Sequence, residues 1–323
     1  MYDDLTNEEL LALQKSTKNK HSQAYNMQLG KKIILNSAYG ALSNKWFIFF
    51  DDDLAESITL SGQLAIRWIE KALNKYFNNI YGTNGGDYVI AIDTDSVYVN
   101  FQKFTEQFLS DVDDPQKIAD YLDEVLSTKI QKVVDEALNE LAYMMGSKHQ
   151  KLEMDREAIA DQAIWRAKKK YILNVYDNEG LRYKEPQIKM KGIQAIQAST
   201  PEVCRNEIKE AIKLIFTEDN DALIAHIENF KQKFNTLGFE EITKPTSVNT
   251  LNEYFDPVTL YKSKCPVAVR ASLVYNRFLK ESKLELKYPF IYNGDKVRWG
   301  YFKLPNPTRE NVFAVPQALP QEF

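Results

Sequence analysis

The chain has 323 residues, of which 44% are hydrophobic, and its formal net charge is −4. This length is enough for a buried core and for about two or three subdomains. No apolar run approaches the length of a membrane span, and the amino terminus is acidic rather than signal-like. Two separated cysteines fit a reduced cytoplasmic setting, and three scattered histidines argue against a zinc site.

A long helix is predicted near the amino terminus, from about residue 7 to about residue 41. Thr6 and Glu9 form a capping-box pattern at its start, and few helix breakers interrupt the segment. Residues four and three positions apart share one face of a helix. One such face carries a cation, an amide and an aromatic ring: Lys32, Asn36 and Tyr39. The cation suits phosphate, and the ring can stack on a base or a sugar.

A β-hairpin is predicted around Asp93-Thr94-Asp95-Ser96, which lies between β-type runs at residues 88–92 and 97–101. Strand side chains alternate between two faces, so Asp93 and Asp95 are expected to point the same way from a tight turn. Two anions directed at one point are costly unless a cation lies there, and carboxylate oxygens suit Mg²⁺. The segment therefore predicts a metal site, and the alternative is an ordinary turn.

The other elements are predicted from apolar periodicity and from breaker residues. Helices are predicted over residues 54–77 and 115–145. Strands are predicted over residues 152–159, 171–177 and 182–189. Pro201 is predicted as the first residue of a helix, with helical structure to about residue 237. No periodicity is clear beyond Thr243.

A basic strip lies between Arg166 and Lys191, where eight residues are basic and three are acidic. Four aromatic residues accompany it: Trp165, Tyr171, Tyr176 and Tyr183. Cations mixed with aromatic rings suit a phosphate backbone and exposed bases. The strip therefore predicts contact with nucleic acid in spite of the negative net charge, and a plain surface charge run is the alternative.

Five segments in a fixed order carry a resemblance to a known family. Three of them are Lys32-x-x-x-Asn36-Ser37-x-Tyr39-Gly40, Asp93-Thr94-Asp95-Ser96 and Lys168-Lys169-Lys170-Tyr171. The other two lie within residues 154–160 and 265–277. Together they resemble the family B DNA polymerases of T-even-like tailed bacteriophages, and the resemblance covers nearly the whole chain.

The resemblance implies roles for the residues of the first two segments. Lys32 would contact the triphosphate of the incoming nucleotide, and Asn36 and Tyr39 would line the nascent base pair. Asp95 would ligate catalytic Mg²⁺ with Asp93 beside it. Thr94 would shape the turn within the nucleotide site.

The resemblance also implies a DNA-contacting set. Its members are Lys168, Lys169, Lys170, Tyr171, Lys189 and Arg270. The lysine triplet would hold the primer strand near its 3′ end. For Arg270 the alternative is packing within the thumb. The same two alternatives, a grip on the duplex or packing, apply to Tyr275, Asn276 and Arg277. Asp155 and Glu157 are auxiliary acids near the metals or, alternatively, partners of nearby basic residues.

The fold that the resemblance implies is α+β. It has a polymerase palm with an antiparallel sheet and packed helices, one long fingers helix and a mainly helical thumb, and it is incomplete relative to the family. The fingers helix segment would span residues 1–44. The carboxy-terminal part of the palm, with the Asp-Thr-Asp hairpin, would span residues 45–184, and a truncated thumb residues 185–323.

The implied function is that of the carboxy-terminal portion of a replicative DNA-directed DNA polymerase. It would act on primer–template DNA and deoxynucleoside triphosphates by two-metal catalysis, in the cytoplasm of an infected bacterial host and without a membrane. Nothing upstream of Lys32 resembles the family's first palm motif, which carries the other metal-binding carboxylate. An amino-terminal fragment with that motif and the exonuclease is therefore the expected partner, and the chain is expected to be inactive alone. A sliding clamp is a further candidate partner.

Two other function classes stay open. A non-catalytic DNA-binding module is favoured by the missing first motif and by Ala91-Ile92, which stand where the family usually has Tyr-Gly. Such a module would bind primer–template DNA without Mg²⁺ and without Asp95. A glycosyltransferase could also use a DxD segment with a metal and a nucleotide sugar, but nothing else in the sequence supports that reading.

Overall fold

The computed structural model describes residues 6–217, 219–316 and 318–323. They form helices and small antiparallel sheets, so the predicted α+β class is confirmed. The chain divides into two compact units. Unit 1 contains the residues up to Asp111 and the segment Glu124–Asp155, and unit 2 contains the segments Val112–Asp123 and Arg156–Phe323. The three-part division at residues 44 and 184 stays a prediction. Within the described residues, no helix is both long and apolar enough to cross a membrane.

The first element of unit 1 is helix α1, Asn7–Leu42, which ends one residue beyond the predicted helix. The capping box is present, because the Thr6 hydroxyl accepts from the Glu9 amide and the Glu9 carboxylate accepts from the Thr6 amide at 2.9 Å. At 1.5 Å per residue α1 is about 54 Å long. No residue of α1 is buried, so its apolar side chains do not contribute to the core of unit 1.

The core of unit 1 is organised by helix α2, Asp52–Tyr81, which is longer at both ends than the sequence predicts. Asp51 caps it by accepting from the Leu54 amide at 2.8 Å. Apolar residues at four-residue spacing on α2 face the hairpin and the helix that follows residue 130. The buried cluster comprises Ile69, Leu73, Phe77, Val89, Ile130, Val134 and Leu138.

The predicted hairpin is formed by β1, Val89–Asp93, and β2, Ser96–Val99. It is anchored to α2 by Asn74, whose side-chain oxygen accepts from the amides of Tyr88 at 2.7 Å and Val89 at 3.2 Å. These bonds fix the entry to β1, and therefore the position of the turn at its other end.

The single helix predicted over residues 115–145 is present but interrupted. Short helix α3, Gln102–Phe108, precedes it. Helix α4, Pro115–Val125, leads through a π-helical turn, Leu126–Ile130, into α5, Gln131–Met144. A π turn adds one residue to the helical register, which apolar periodicity alone does not reveal.

Unit 2 contains a three-stranded antiparallel sheet in the order β3-β4-β5, with bounds Ala158–Ala167, Lys170–Asn178 and Leu181–Lys191. The strand predicted over residues 152–159 is wrong, because β4 ends opposite Ala158 and residues before it have no strand to pair with. Helix α6, Glu202–Phe216, covers the sheet through Ile212, which packs with Ile172 and Ala195. Pro201 is the residue before this helix rather than its first residue.

The next helix lies within the region predicted as helical to about residue 237, whereas the elements beyond Thr243 were not predicted. Helix α7, Asn220–Phe234, is followed by α8, Phe239–Ile242, strand β6, Lys244–Ser247, and α9, Leu251–Tyr254. Strands β7, Phe255–Asp256, and β8, Leu260–Tyr261, form a small pair, and α10 spans Val267–Glu281. Strands β9, Lys296–Tyr301, and β10, Val312–Val315, complete a sheet in the order β10-β9-β6. Helix α10 packs on this sheet, and its buried residues include the continuous run from Ala271 to Tyr275.

An ion network centred on one buried carboxylate joins α4 to the β3-β4-β5 sheet. Asp177 on β4 is 2% exposed, and its carboxylate pairs with Arg156 and, at 3.4 Å, with Arg182. The same arginines reach α4, Arg156 pairing with Asp123 at 2.7 Å and Arg182 with Asp120 at 3.0 Å. A buried carboxylate is tolerated only where cations and hydrogen-bond donors surround it. The network therefore fixes the helix against the sheet.

Asp177→Asn is expected to destabilise the β3-β4-β5 sheet by about 3 kcal/mol, because it leaves two arginines without their buried partner. Native-state hydrogen exchange of the β4 amides measures this, and roughly a hundredfold faster exchange is expected. Asp161→Asn on β3 is the control, since Asp161 is exposed and its change should stay within about 0.5 kcal/mol. Equal exchange rates in the two variants would contradict the role assigned to Asp177.

Candidate active site and nucleic-acid interface

The Asp-Thr-Asp segment forms the turn of the β1-β2 hairpin. Asp93 is the last residue of β1 and pairs with Ser96, so the loop consists of Thr94 and Asp95. Thr94 has a φ of 59°, and the Asp95 amide donates to the Asp93 carbonyl at 2.7 Å. A β-branched residue in the left-handed region is uncommon, so this turn is held in a strained conformation.

The two carboxylates of this turn have different surroundings. Asp93 is 8% exposed and accepts a hydrogen bond from the Thr94 hydroxyl at 3.2 Å, whereas Asp95 is exposed. The prediction that both side chains point the same way assumed that both residues lie in a strand. That assumption is wrong, because Asp95 lies in the turn.

The turn offers some, but not all, of the oxygen ligands that a divalent cation needs. Asp93 and Asp95 offer hard oxygen ligands, which Mg²⁺ prefers, and Mg²⁺ commonly takes its other ligands from water and substrate phosphates. In the portion of the chain that the structure describes, no three His, Cys, Asp or Glu side chains come together in a way that would hold a metal. The turn therefore supplies two carboxylates and no more of such a site.

The predicted nucleotide face lies on the second half of α1. Lys32, Asn36 and Tyr39 are all exposed. Tyr39 borders an open cleft of about 340 Å³ between the end of α1 and the start of α2, within unit 1. The other lining residues are Ser43, Asp52, Asp53, Ala55, Glu56 and Thr59. None of these was singled out by the sequence, because their proximity to Tyr39 depends on how the chain reverses between the helices.

The lysine triplet forms the turn between β3 and β4, in unit 2. Lys168 and Lys169 are the turn residues, Lys170 begins β4, and all three are exposed. Tyr171 is 6% exposed, with the Lys191 ammonium 5.7 Å from its ring centroid. The turn thus presents cations at the surface, while the neighbouring ring is part of the packing rather than a stacking platform.

The two other residues predicted to contact DNA have partners inside unit 2. The Lys189 ammonium donates to the Glu157 carboxylate at 2.6 Å and to the Asn178 side chain at 3.0 Å. Arg270 donates to the Asn311 side chain at 3.1 Å and lies 5.8 Å from the Tyr261 ring centroid. These contacts favour packing roles for both residues, and they pair Glu157 with a lysine, as one of its two alternatives predicted.

Three other residues of α10 for which packing was the alternative also make contacts within unit 2. Tyr275 is 1% exposed and donates to the Pro289 carbonyl at 3.1 Å. Asn276 donates to the Ile291 carbonyl at 2.8 Å, and Arg277 donates to the Thr308 carbonyl at 2.8 Å. Burial raises the pKa of Tyr275 to about 12, as expected for a ring in the core.

The two cysteines do not form a reactive site. Cys204 and Cys265 are free thiols, and burial raises the pKa of each. A thiol is nucleophilic only as the thiolate. Because the raised pKa keeps each thiol protonated at neutral pH, it argues against nucleophilic catalysis by either cysteine.

Comparison with known proteins identifies the family. The model of DNA polymerase family B matches residues 8–292. The chain is 34% identical over 298 residues to the DNA-directed DNA polymerase of Escherichia phage RB69, a match that covers 90% of this chain and 33% of that protein. It is 33% identical over 307 residues to the DNA-directed DNA polymerase of Enterobacteria phage T4, covering 92% of this chain and 34% of that one.

A more distant similarity extends beyond phages. DNA polymerase 1 of Aeropyrum pernix is 23% identical over 284 residues, which are 84% of this chain and 24% of that protein. The chain spans about a third of the length of the two phage relatives. The resemblance inferred from five ordered segments is confirmed, and the chain belongs to DNA polymerase family B, with T-even-like phage polymerases among its relatives.

Proposed function

We propose that this chain supplies the fingers helix, the carboxy-terminal part of the palm and much of the thumb of a replicative DNA-directed DNA polymerase. The observation that carries the proposal is the family match over residues 8–292, a range that contains the α1 face, the Asp-Thr-Asp turn and the lysine turn. Its substrates are primer–template DNA and deoxynucleoside triphosphates, in the cytoplasm of an infected bacterium.

Each part of the proposed site has a physical task. Asp95, exposed at the turn, and Asp93, held by Thr94, would bind Mg²⁺. Bound Mg²⁺ would lower the pKa of the primer 3′ hydroxyl and neutralise charge on the transferred phosphoryl group.

The exposed face of α1 acts on the incoming nucleotide. Lys32 pairs with the triphosphate and stabilises negative charge as pyrophosphate leaves. Asn36 and Tyr39 contact the nascent base pair, and Tyr39 does so from the rim of the cleft at the start of α2. Lys168, Lys169 and Lys170 hold the primer through its phosphates.

The proposed activity needs more than this chain provides. Two carboxylates are half of a two-metal site, so a further carboxylate has to come from an amino-terminal polymerase portion, which also carries the exonuclease, as a separate chain or a covalent extension. Exposed apolar side chains in unit 1 support such a contact, including Trp46 at 95%, Ile48 at 85% and Phe49 at 69% exposure. A sliding clamp is a further proposed partner.

Mg²⁺-dependent primer extension is expected when the chain is combined with the amino-terminal portion of the polymerase, and not with the chain alone. Asp95→Ala in the same mixture is expected to reduce extension by at least about 10³-fold, because a metal ligand is lost. Extension that survives Asp95→Ala would contradict the assignment. Mg²⁺-independent DNA binding without any extension would instead favour the non-catalytic module.

Asp95→Ala is expected to leave the free energy of unfolding of unit 1 within about 0.5 kcal/mol, because the side chain is exposed. Asp93→Ala is expected to lower it by about 1 kcal/mol, because a buried hydrogen-bonded carboxylate is removed. Hydrogen exchange of the β1 and β2 amides compares the two variants. A large loss of protection in Asp95→Ala would disqualify that variant as a test of catalysis.

Lys168→Ala is expected to lower the slope of log K against log salt for primer–template binding by about 1, since one phosphate contact is lost. Lys189→Ala is the matched control. Its ammonium already pairs with Glu157 and Asn178, so its loss is expected to leave the slope unchanged. Binding titrations across a salt series measure both. Equal slopes in the two variants would contradict a primer-contacting role for the turn.

A further inference from the structure

Gly192, the residue after β5, lies against the lysine turn. Its φ is +65°, and that of Lys169 is +60°, so two left-handed residues face each other. A Cβ atom placed on Gly192 would lie 2.2 Å from the Lys169 carbonyl oxygen, 3.2 Å from the Lys169 carbonyl carbon and 3.1 Å from Cγ of Lys170. The nearest of these atoms is backbone, so any side chain at position 192 displaces the turn or the end of β5.

This close approach distinguishes Gly192 from the other glycines. Gly82, Gly146 and Gly180 also have positive φ, yet a Cβ on any of them would meet nothing within 4 Å. At these three positions glycine is needed only for its left-handed backbone conformation. At Gly192 the chain needs both the left-handed conformation and the absence of a side chain, because another backbone segment occupies that space.

We propose that Gly192 is a positioning residue that sets the location of the lysine turn for contact with the primer phosphates. The proposal rests on the proposed function. The end of the sheet at Gly192 carries five exposed basic residues: Arg166, Lys168, Lys169, Lys170 and Lys191. Tyr171 pairs with Lys191 in the β4-β5 ladder, so Gly192 extends β5 just past the ladder and its backbone abuts the turn.

The physical reason is that phosphate contacts depend on position as well as charge. A shift of the turn by about 1 Å lengthens a charge-assisted hydrogen bond beyond its useful range of about 2.7–3.2 Å. Gly192→Ala keeps every lysine and the net charge, so any loss of phosphate contacts in this variant arises from geometry.

The test measures primer–template binding by the full chain across a salt series. Gly192→Ala is expected to weaken binding about tenfold and to lower the slope of log K against log salt by about 1 or more. Gly180→Ala, in the turn between β4 and β5, and Gly146→Ala, with the same φ of +65°, are the controls for backbone strain and should keep the slope. An unchanged slope in Gly192→Ala would overturn the proposal.

A double-mutant cycle separates positioning from general damage. In a chain that already carries Lys168→Ala, Lys169→Ala and Lys170→Ala, adding Gly192→Ala is expected to have no further effect on the slope. An equal further loss in that background would mean that Gly192 acts elsewhere, and would overturn the proposal.

The geometry is tested without DNA by limited trypsin cleavage after Lys168, Lys169 and Lys170. Gly192→Ala is expected to speed cleavage there several-fold over Gly180→Ala, and equal rates would overturn the close approach.

If Gly192→Ala does not fold, hydrogen exchange of the unmodified chain replaces it, and DNA is expected to protect the turn and Gly192 together. Protection of the turn without Gly192 would overturn the proposal. A folded wild-type chain that binds no DNA would overturn the proposed function instead, while the trypsin result would still decide the geometry.

Discussion

The buried carboxylate of Asp177 is a constraint on which the arrangement of α4 and the β3-β4-β5 sheet in unit 2 depends. A charge removed from water has to be matched by nearby cations, which Arg156 provides from the segment before β3 and Arg182 provides from β5. Because the same arginines also pair with acids on α4, one buried charge links β4, β5, the segment before β3 and a helix. Strand β4 carries Asp177 near one end and begins with Lys170 at the other. The position of the basic turn therefore depends on a charge network about seven residues away along the strand.

Local sequence signals predicted the elements whose causes are local. The Thr6–Glu9 capping box marked the start of α1 to the residue, and apolar periodicity located α2. The failures have long-range causes. Helix α10 packs on a sheet whose strands lie 14 or more residues away along the chain, so its burial depends on contacts that a local stretch of sequence does not contain. The strand expected before Ala158 was wrong, because a strand exists only where a neighbour pairs with it.

The candidate site shows the same division. Residue types and spacing predicted the Asp-Thr-Asp turn, the α1 face and the lysine turn as functional segments. All three lie within the residues that the family model matches, and their roles stay predictions. Sequence offered a basic partner for Glu157 but could not say which one, because Lys189 lies 32 positions away, and it offered no partner for Arg270, because Asn311 lies 41 positions away. Nor could it show that the two carboxylates of the turn differ in burial, because that depends on where the strand ends and the loop begins.

Helix α1 has a mechanical consequence that follows from its lack of buried residues. Its carboxy-terminal end is tied to the segment before α2, where the Asp51 amide donates to the Leu42 carbonyl at 3.0 Å. A rigid helix attached at one end acts as a lever, with about 1.5 Å of length per residue. Lys32 is ten residues from that end, roughly 15 Å, so a tilt of about 5° at the joint displaces it by roughly 1.3 Å. Tyr39, only three residues away, moves by less than about 0.5 Å. Small rotations at this joint would thus change the reach of the ammonium while leaving the aromatic ring nearly still.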